Sequence, residues 1–293
     1  MSRDLERLLN RVEQVLERFE QTLPRPQPLP DWQRGRAYRW RKRAGTGTLQ
    51  AVAHPHKIRL ADLQGIDDQK KLIEQNTRQF MDGLTANNVL LTGARGTGKS
   101  SLVKALLNKF ASRGLRLIEV DKQDLTDLPD IVDLIADVPH KFILFCDDLS
   151  FDADEPGYKA LKVILDGSIS TTSDNLLIYA TSNRRHLMPE FMQENLETKY
   201  SGEEIHPGET VEEKISLSER FGLWVSFYPF DQDEYLAIVN YWLGELGVPE
   251  RARGAKVRNE ALQWALTRGS RSGRVAWHFA RDWAGRHGTT AGA

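Results

Sequence analysis

Residues 90–110 read LLTGARGTGKSSLVKALLNKF, and no other stretch limits the possible folds as strongly. An apolar run ends in a glycine-rich loop, then Lys-Ser, then an amphipathic run. Gly93-Ala94-Arg95-Gly96-Thr97-Gly98-Lys99-Ser100 fits the phosphate-binding loop pattern in full. Glycines let the backbone curl so that its N–H groups point at a β-phosphate. The positive end of the following helix, which Ser101 continues, adds to that field. Lys99 is placed to reach β- and γ-phosphates, and the Ser100 hydroxyl is a ligand for Mg²⁺. A chain with this loop requires a strand before it and a helix after it, and both patterns are present.

Phosphate chemistry of this kind also needs a strand ending in acid. FILFCDD supplies one. Asp147 at its tip is the second Mg²⁺ candidate, and Asp148, one residue on, is the candidate base for an attacking water. An Asp rather than a longer Glu there lengthens the path to that water and suggests slow hydrolysis. Cys146, next to Asp147, reads as a small core residue, since no neighbouring positive charge is visible to lower its pKa.

The rest of the chain organises around this centre. Short β-rich runs (NNVLLTG, LRLIEV, KFILFCDD, NLLIYATS, LWVSFYP) alternate with helical patterns from about residue 58 to 229. Continuous apolarity in those runs predicts an α/β fold, a parallel sheet covered by helices on both faces. Residues 51–229 are therefore expected to form the nucleotide-binding domain. From Asp231, a good helix cap, the pattern is helical only, and residues 230–293 are expected to form a small all-α lid. Trp264, Trp277 and Trp283 recur at helical spacing there and read as core. Residues 1–24 carry an amphipathic stripe (Leu5, Val12, Phe19) expected to dock on the chain's own body, with a partner or self-association helix as the alternative. Residues 25–50, Pro-rich and then basic and aromatic, read as a linker.

Lys and Arg total 40 against 41 Asp and Glu, a net charge of −1, so no global field draws the chain to nucleic acid or membrane. A local patch is the alternative. Residues 34–43 hold Arg34, Arg36, Arg39, Arg41, Lys42 and Arg43 among Trp32, Tyr38 and Trp40, a composition suited to phosphates and stacked bases. The other reading is an arm folded on acidic protein surface. A single cysteine and the lack of a membrane-length apolar run lead to a cytoplasmic expectation, with no membrane partner.

With these motifs placed, the chain resembles the AAA+ ATPases. LADLQGIDDQKKLIEQNTRQF resembles the family's entry segment, and the likeness implies that its turn at Leu63 to Ile66 lies against adenine. LLIYATSNRRHL is similar to the sensor strand, which puts Asn183 where the family orients the water. LSERFGLW resembles the arginine-finger box of bacterial replication initiators and implies that Arg220 points at a neighbouring subunit's γ-phosphate, with Arg184 and Arg185 as rivals. TRGSRSGRVAWHFA resembles a lid-helix start, which implies Arg274 as second sensor with Arg271 as the alternate. More narrowly, FCDDLSF, YATSNRRHLMPE, EEKISLSERFGLW and RGSRSGR together resemble the bacterial family catalogued as domain of unknown function 815, over roughly residues 35–285.

The resemblance implies ATP and Mg²⁺ as cofactors and a homo-oligomer, ring-shaped or head-to-tail. The segment after LRLIEV has neither aromatic nor glycine, which argues against a protein-threading pore. Two functions follow. One is an ATP-hydrolysing oligomer that remodels or loads a nucleic-acid complex. The other is a slow ATP-dependent switch or scaffold governing a protein interaction.

Overall fold

The strand leading into the phosphate loop, β3 (Val89–Gly93), is buried through its first four residues. Burial on both faces requires cover on both sides, and the computed structural model supplies it. It describes residues 11–16, 30–43, 45–151, 155–166, 174–183, 199–201, 204–206 and 217–288. β3 lies between β6 (Leu176–Ser182) and β9 (Leu223–Phe227), parallel to both. β5 (Lys141–Cys146) and β4 (Leu115–Glu119) continue the parallel sheet beyond β6. β1 (Ala37–Arg43) and β2 (Thr46–Ala51) extend it past β4, so the full order is β2-β1-β4-β5-β6-β3-β9.

Alternation along β5 sorts the core into two halves. Ile143 and Phe145 pack with α1 (Asp67–Met81), α2 (Lys99–Phe110) and the C-terminal helices. Phe142, Leu144 and Cys146 pack with α3 (Leu128–Ile135) and α4 (Pro156–Asp166) on the other face. Cys146 is fully buried and its thiol is pushed up to about 12, by burial first and the adjacent Asp147 second. It is a core residue, as its sequence setting suggested.

The lid comprises α5 (Gln232–Glu245), α6 (Ala255–Arg268) and α7 (Gly273–Arg286). Asp231 caps α5 in a reciprocal box with Glu234, each side chain accepting the other's backbone N–H at 2.8 Å. Ser272 caps α7 by accepting from the Val275 N–H. The lid is tied to the entry segment by charge as well as packing. Asp62 accepts from the Tyr241 hydroxyl at 2.7 Å, and Arg59 bridges Asp62 and Glu245. Burial works to raise the Asp62 pKa, but the bonds from Arg59 and Tyr241 outweigh it and hold the carboxyl below its usual range.

The segment read as a linker is different from that expectation. Its β1 runs parallel to β4, and β2 lies antiparallel to β1 at the sheet edge. Tyr38 and Trp40 are buried, and the charges between them meet acids of the neighbouring elements. Arg39 pairs with Glu119 at 2.6 Å, Arg41 with Asp121 at 2.8 Å and Lys42 with Asp127 at 2.7 Å. Asp127 also accepts from the Trp40 indole at 3.0 Å. The physical reason is charge complementarity: this edge lies beside Glu119, Asp121 and the 3₁₀ turn Lys122–Asp127, whose buried Asp127 carboxylate needs a cation. Trp40→Ala should therefore cost about 3–5 kcal/mol. It should lower the thermal midpoint on the order of 10 °C, as read by circular dichroism.

Of the N-terminal stripe, only residues 11–16 are among those described. They are helical, and Val12, Val15 and Leu16 stand 48–60% exposed rather than docked on the body. The rest of that stripe lies outside the described residues. Between β6 and β9, β7 (Lys199–Ser201) pairs antiparallel with β8 (Glu204–His206). No helix among the described residues is long and apolar enough to cross a membrane.

Candidate nucleotide-binding site

The C-terminal ends of β3, β5 and β6 lie side by side, and their next residues meet at one edge of the sheet. Gly93 turns the chain there with φ 123°, and a Cβ at that position would sit 1.9 Å from the Phe227 carbonyl oxygen, so only glycine fits. Gly98 then opens α2 with φ 102° and no side-chain cap, which leaves the first-turn N–H groups of α2 without a capping acceptor. This is the arrangement an anion needs at a helix start.

Lys99 is buried behind the loop. Its ammonium donates to the carbonyls of Gly93 at 2.7 Å and Ala94 at 2.8 Å and to Asn183 Oδ1 at 3.1 Å. Burial lowers its pKa to about 8, against the opposing pull of Asp148 and Asp147. An anion in the loop would supply the counter-charge that this cation lacks. The Ser100 hydroxyl donates to Asp147 Oδ1 at 2.6 Å, so a hydroxyl and a carboxylate oxygen converge below the loop. Two hard oxygen donors at one point are the donor set Mg²⁺ takes. Asp148 is exposed, with φ 55°, and is the one non-glycine residue in the left-handed region among the described residues. Asn183 Nδ2 donates to Asp148 Oδ1, and the Arg95 guanidinium stands 3.9 Å from Asp148 Oδ2.

These groups line a cavity of about 960 Å³. Its phosphate end is formed by Arg95, Gly96, Thr97, Gly98, Lys99, Ser100 and Ser101, with Asp147, Asp148 and Asn183 opposite and Arg274 entering from the lid. Arg271 is exposed and is not part of the lining. The lid start sits on the loop: a Cβ on Gly96 would come within 2.8 Å of Ser272 Oγ. The rest of the lining mixes apolar and polar groups: Leu63, Ile66, Ile238, Trp242 and Trp277 stand with His56, Lys57, Asp62 and Gln64. The two indoles pack at 4.5 Å with a 59° tilt. Trp277, read in sequence as core, is thus half-buried at the cavity wall, while Trp283 is buried as expected. Trp242 was not singled out in sequence. Its spacing from Ile238, one turn of α5, is the signal that could have found it.

Arg220 lies elsewhere. It precedes β9, whose Leu223 pairs with Val89 at the start of β3, whereas the phosphate loop follows the end of β3. The length of β3 alone separates these two sheet edges, roughly 13 Å at the rise of a strand. Arg220 Nε donates to Asp166 at the end of α4. Arg184 and Arg185 lie outside the described residues.

The family model described as protein of unknown function (DUF815) matches residues 33–287, most of the chain. The chain belongs to this family. No curated protein sequence matches it. Solved structures show which fold DUF815 has here. A chain of the HORMA:CdnC:Trip13 complex from Escherichia coli MS115-1 aligns with TM-score 0.50 at 13% identity, covering 76% of this chain and 90% of that one. The Aeropyrum pernix ORC1 protein, solved with DNA, gives 0.52 at 14% identity over 77% and 61%. A point mutant of Thermotoga maritima RuvB gives 0.50 at 15% over 80% and 69%. These likenesses place the DUF815 chain in the AAA+ fold, a phosphate-loop sheet followed by a helical lid.

Proposed function

We propose that this chain is a Mg²⁺-dependent, ATP-binding and ATP-hydrolysing AAA+ protein that acts as an oligomer. The observation that carries the reading is the convergence of three strand ends on one point. Lys99, the Ser100–Asp147 pair and the Asn183–Asp148 pair all meet under an uncapped helix start.

The residues divide the work by chemistry. The N–H groups of Gly96 to Ser101 and the Lys99 ammonium hold the β- and γ-phosphates. Ser100 and Asp147 would hold Mg²⁺, which supplies positive charge against the phosphate oxygens when bound. Asp148 accepts a proton from the attacking water as the γ-phosphate bond to the leaving oxygen breaks, and Asn183 fixes the carboxylate that does so. Arg274 reaches the same end of the cavity from the lid and stabilises phosphate charge. Leu63, Ile66, Trp242 and Trp277 form an apolar wall for the nucleoside. Arg220 serves the neighbouring subunit's γ-phosphate, since its own lies at the opposite sheet edge.

A partner reading follows from charge. Arg39, Arg41 and Lys42 are committed to Glu119, Asp121 and Asp127, which favours an ATP-dependent switch acting on protein over a loader of nucleic acid. Nucleic acid through residues 34–43 remains the competing proposal, with Arg34, 3.7 Å from Asp31, the most exposed of the paired cations there. A buried single cysteine suits a reducing compartment, and we place the protein in the cytoplasm.

The test of nucleotide binding uses the indoles already at the cavity. Titration of MgATP into the wild-type protein should change the emission of Trp242 and Trp277. In Lys99→Ala, affinity should fall roughly 10- to 100-fold, the loss of one or two hydrogen bonds to a charged group. An unchanged affinity in that variant would put the nucleotide elsewhere.

A further inference from the structure

The end of β6 does more than carry Asn183. Its last residues bond, one after another, to the turn that holds both acids. The Thr181 hydroxyl donates to Asp147 Oδ1 at 2.5 Å and accepts the Asp148 N–H at 2.9 Å. The Thr181 carbonyl accepts the Leu149 N–H at 2.7 Å. The Ser182 hydroxyl donates to the Leu149 carbonyl at 2.7 Å, and Asn183 donates to the Asp148 carboxylate. Three consecutive residues at the end of β6 thus template three consecutive residues of the turn that follows β5.

From this geometry we infer that Thr181 is a positioning residue that sets the Mg²⁺ carboxylate and the base carboxylate together. It deepens the reading of this site as a Mg²⁺-dependent ATPase. Thr181 is 2% exposed and borders the cavity beside the acids, but its hydroxyl is taken up by Asp147 and the Asp148 N–H, so it acts through them and not on substrate. The polarity of its hydroxyl is fully determined. An ionised carboxylate only accepts and a backbone N–H only donates, so the single hydroxyl proton goes to Asp147 and a lone pair takes the Asp148 N–H. A hydroxyl is the small side-chain group able to serve both at once. The N–H bond also explains the Asp148 backbone. A non-glycine residue at φ 55° persists where its surroundings over-determine it, and here Thr181, Asn183 and the Leu149 bonds do so. Ser100 shares Asp147 Oδ1 with Thr181, so the carboxylate is aimed by a hydroxyl from each of two elements. Partners of this kind orient metal ligands, and losing one typically costs 10- to 100-fold in metal affinity or activity.

The test compares Thr181→Val, which keeps the shape and removes the hydroxyl, with Thr181→Ser, which keeps the hydroxyl. ATP affinity is measured in Mg²⁺ and in EDTA, and steady-state phosphate release gives kcat and KM. Thermal melts establish that each variant folds. In Thr181→Val, affinity in EDTA should stay within about twofold of wild type, while the gain conferred by Mg²⁺ shrinks several-fold. Its kcat should fall at least about tenfold with KM little moved. Thr181→Ser should recover most of both effects. A Thr181→Val protein with wild-type Mg²⁺ gain and kcat overturns the assignment, as does a Thr181→Ser protein equally impaired. If wild type binds nucleotide yet releases no phosphate, hydrolysis is wrong and the Mg²⁺ gain alone decides the role of Thr181. If wild type binds no nucleotide, both readings fall together.

Discussion

Asp148→Asn is expected to abolish turnover, with kcat reduced on the order of 10²- to 10⁴-fold, while MgATP affinity stays within about twofold of wild type. Several features of the site make this substitution clean. The amide has nearly the shape of the carboxylate, and asparagine tolerates the left-handed backbone that Asp148 adopts at φ 55°. The amide oxygen still accepts from Asn183 Nδ2, and the backbone N–H still reaches Thr181 Oγ1. What is lost is the capacity to take a proton from water. Asp148 is also exposed at the cavity, so no buried polar network collapses with the change. Steady-state phosphate release and an equilibrium titration on the same preparation check both halves of the expectation. Unaltered hydrolysis would remove Asp148 from the mechanism. Glu155, the nearest downstream acid, is a poor replacement, since it pairs with Lys122 at 2.8 Å and does not line the cavity.

The phosphate end of this site was legible because each part has a backbone reason. A glycine at φ 123° against a carbonyl, an uncapped helix start and strands that end together permit few residue types, and those types stand out in a sequence. The same physics made a parallel sheet readable from five apolar runs, whereas the order β4-β5-β6-β3-β9 emerges only in the structure. The edge was harder. AYRWRKR alternates Tyr38 and Trp40 with Arg39 and Arg41, which is a period-two strand signal, but its charge density reads as a nucleic-acid patch or as an arm on acidic surface, and the second is what the ion pairs show. The acids that neutralise it come from residues 119–127, some eighty positions away, and only folding brings them close. Trp277 was legible only in part: it packs against the core, as its spacing suggested, but also lines the cavity. Helical spacing places a side chain on a face but not against a core or a cavity, and the packing of α7 over Gly96 decides between them. Thr181 carries no motif weight in isolation. Its importance arises from Asp147 and Asp148, which approach it across the sheet.

The central claim is an ATPase whose sites are completed by a neighbour, and Arg220 tests it. On the proposed reading, the loop, Asp147 and Asp148 supply one side of the γ-phosphate. Arg274 adds charge from the lid, but an arginine from a second subunit is worth on the order of 10³-fold or more in rate at a transferring phosphoryl group. Arg220 stands at the far edge of the sheet from its own loop, held by Asp166, where a head-to-tail neighbour can present its own loop. Assembly requires Arg220 to exchange that carboxylate for phosphate oxygens, a stronger and more charged acceptor. The measurement is phosphate release by Lys99→Ala protein, by Arg220→Ala protein and by an equal mixture of the two. Lys99→Ala keeps the finger but binds its own nucleotide weakly and lacks the ammonium at the transferring phosphate, while Arg220→Ala binds nucleotide and lacks the finger. Each alone should fall roughly 10³-fold below wild type. The mixture should recover up to about a quarter of the wild-type rate, because half of the subunits hold nucleotide and half of their neighbours carry the finger. A mixture that stays inactive while the variants co-assemble, or an Arg220→Ala protein that turns over ATP like wild type, would contradict the account.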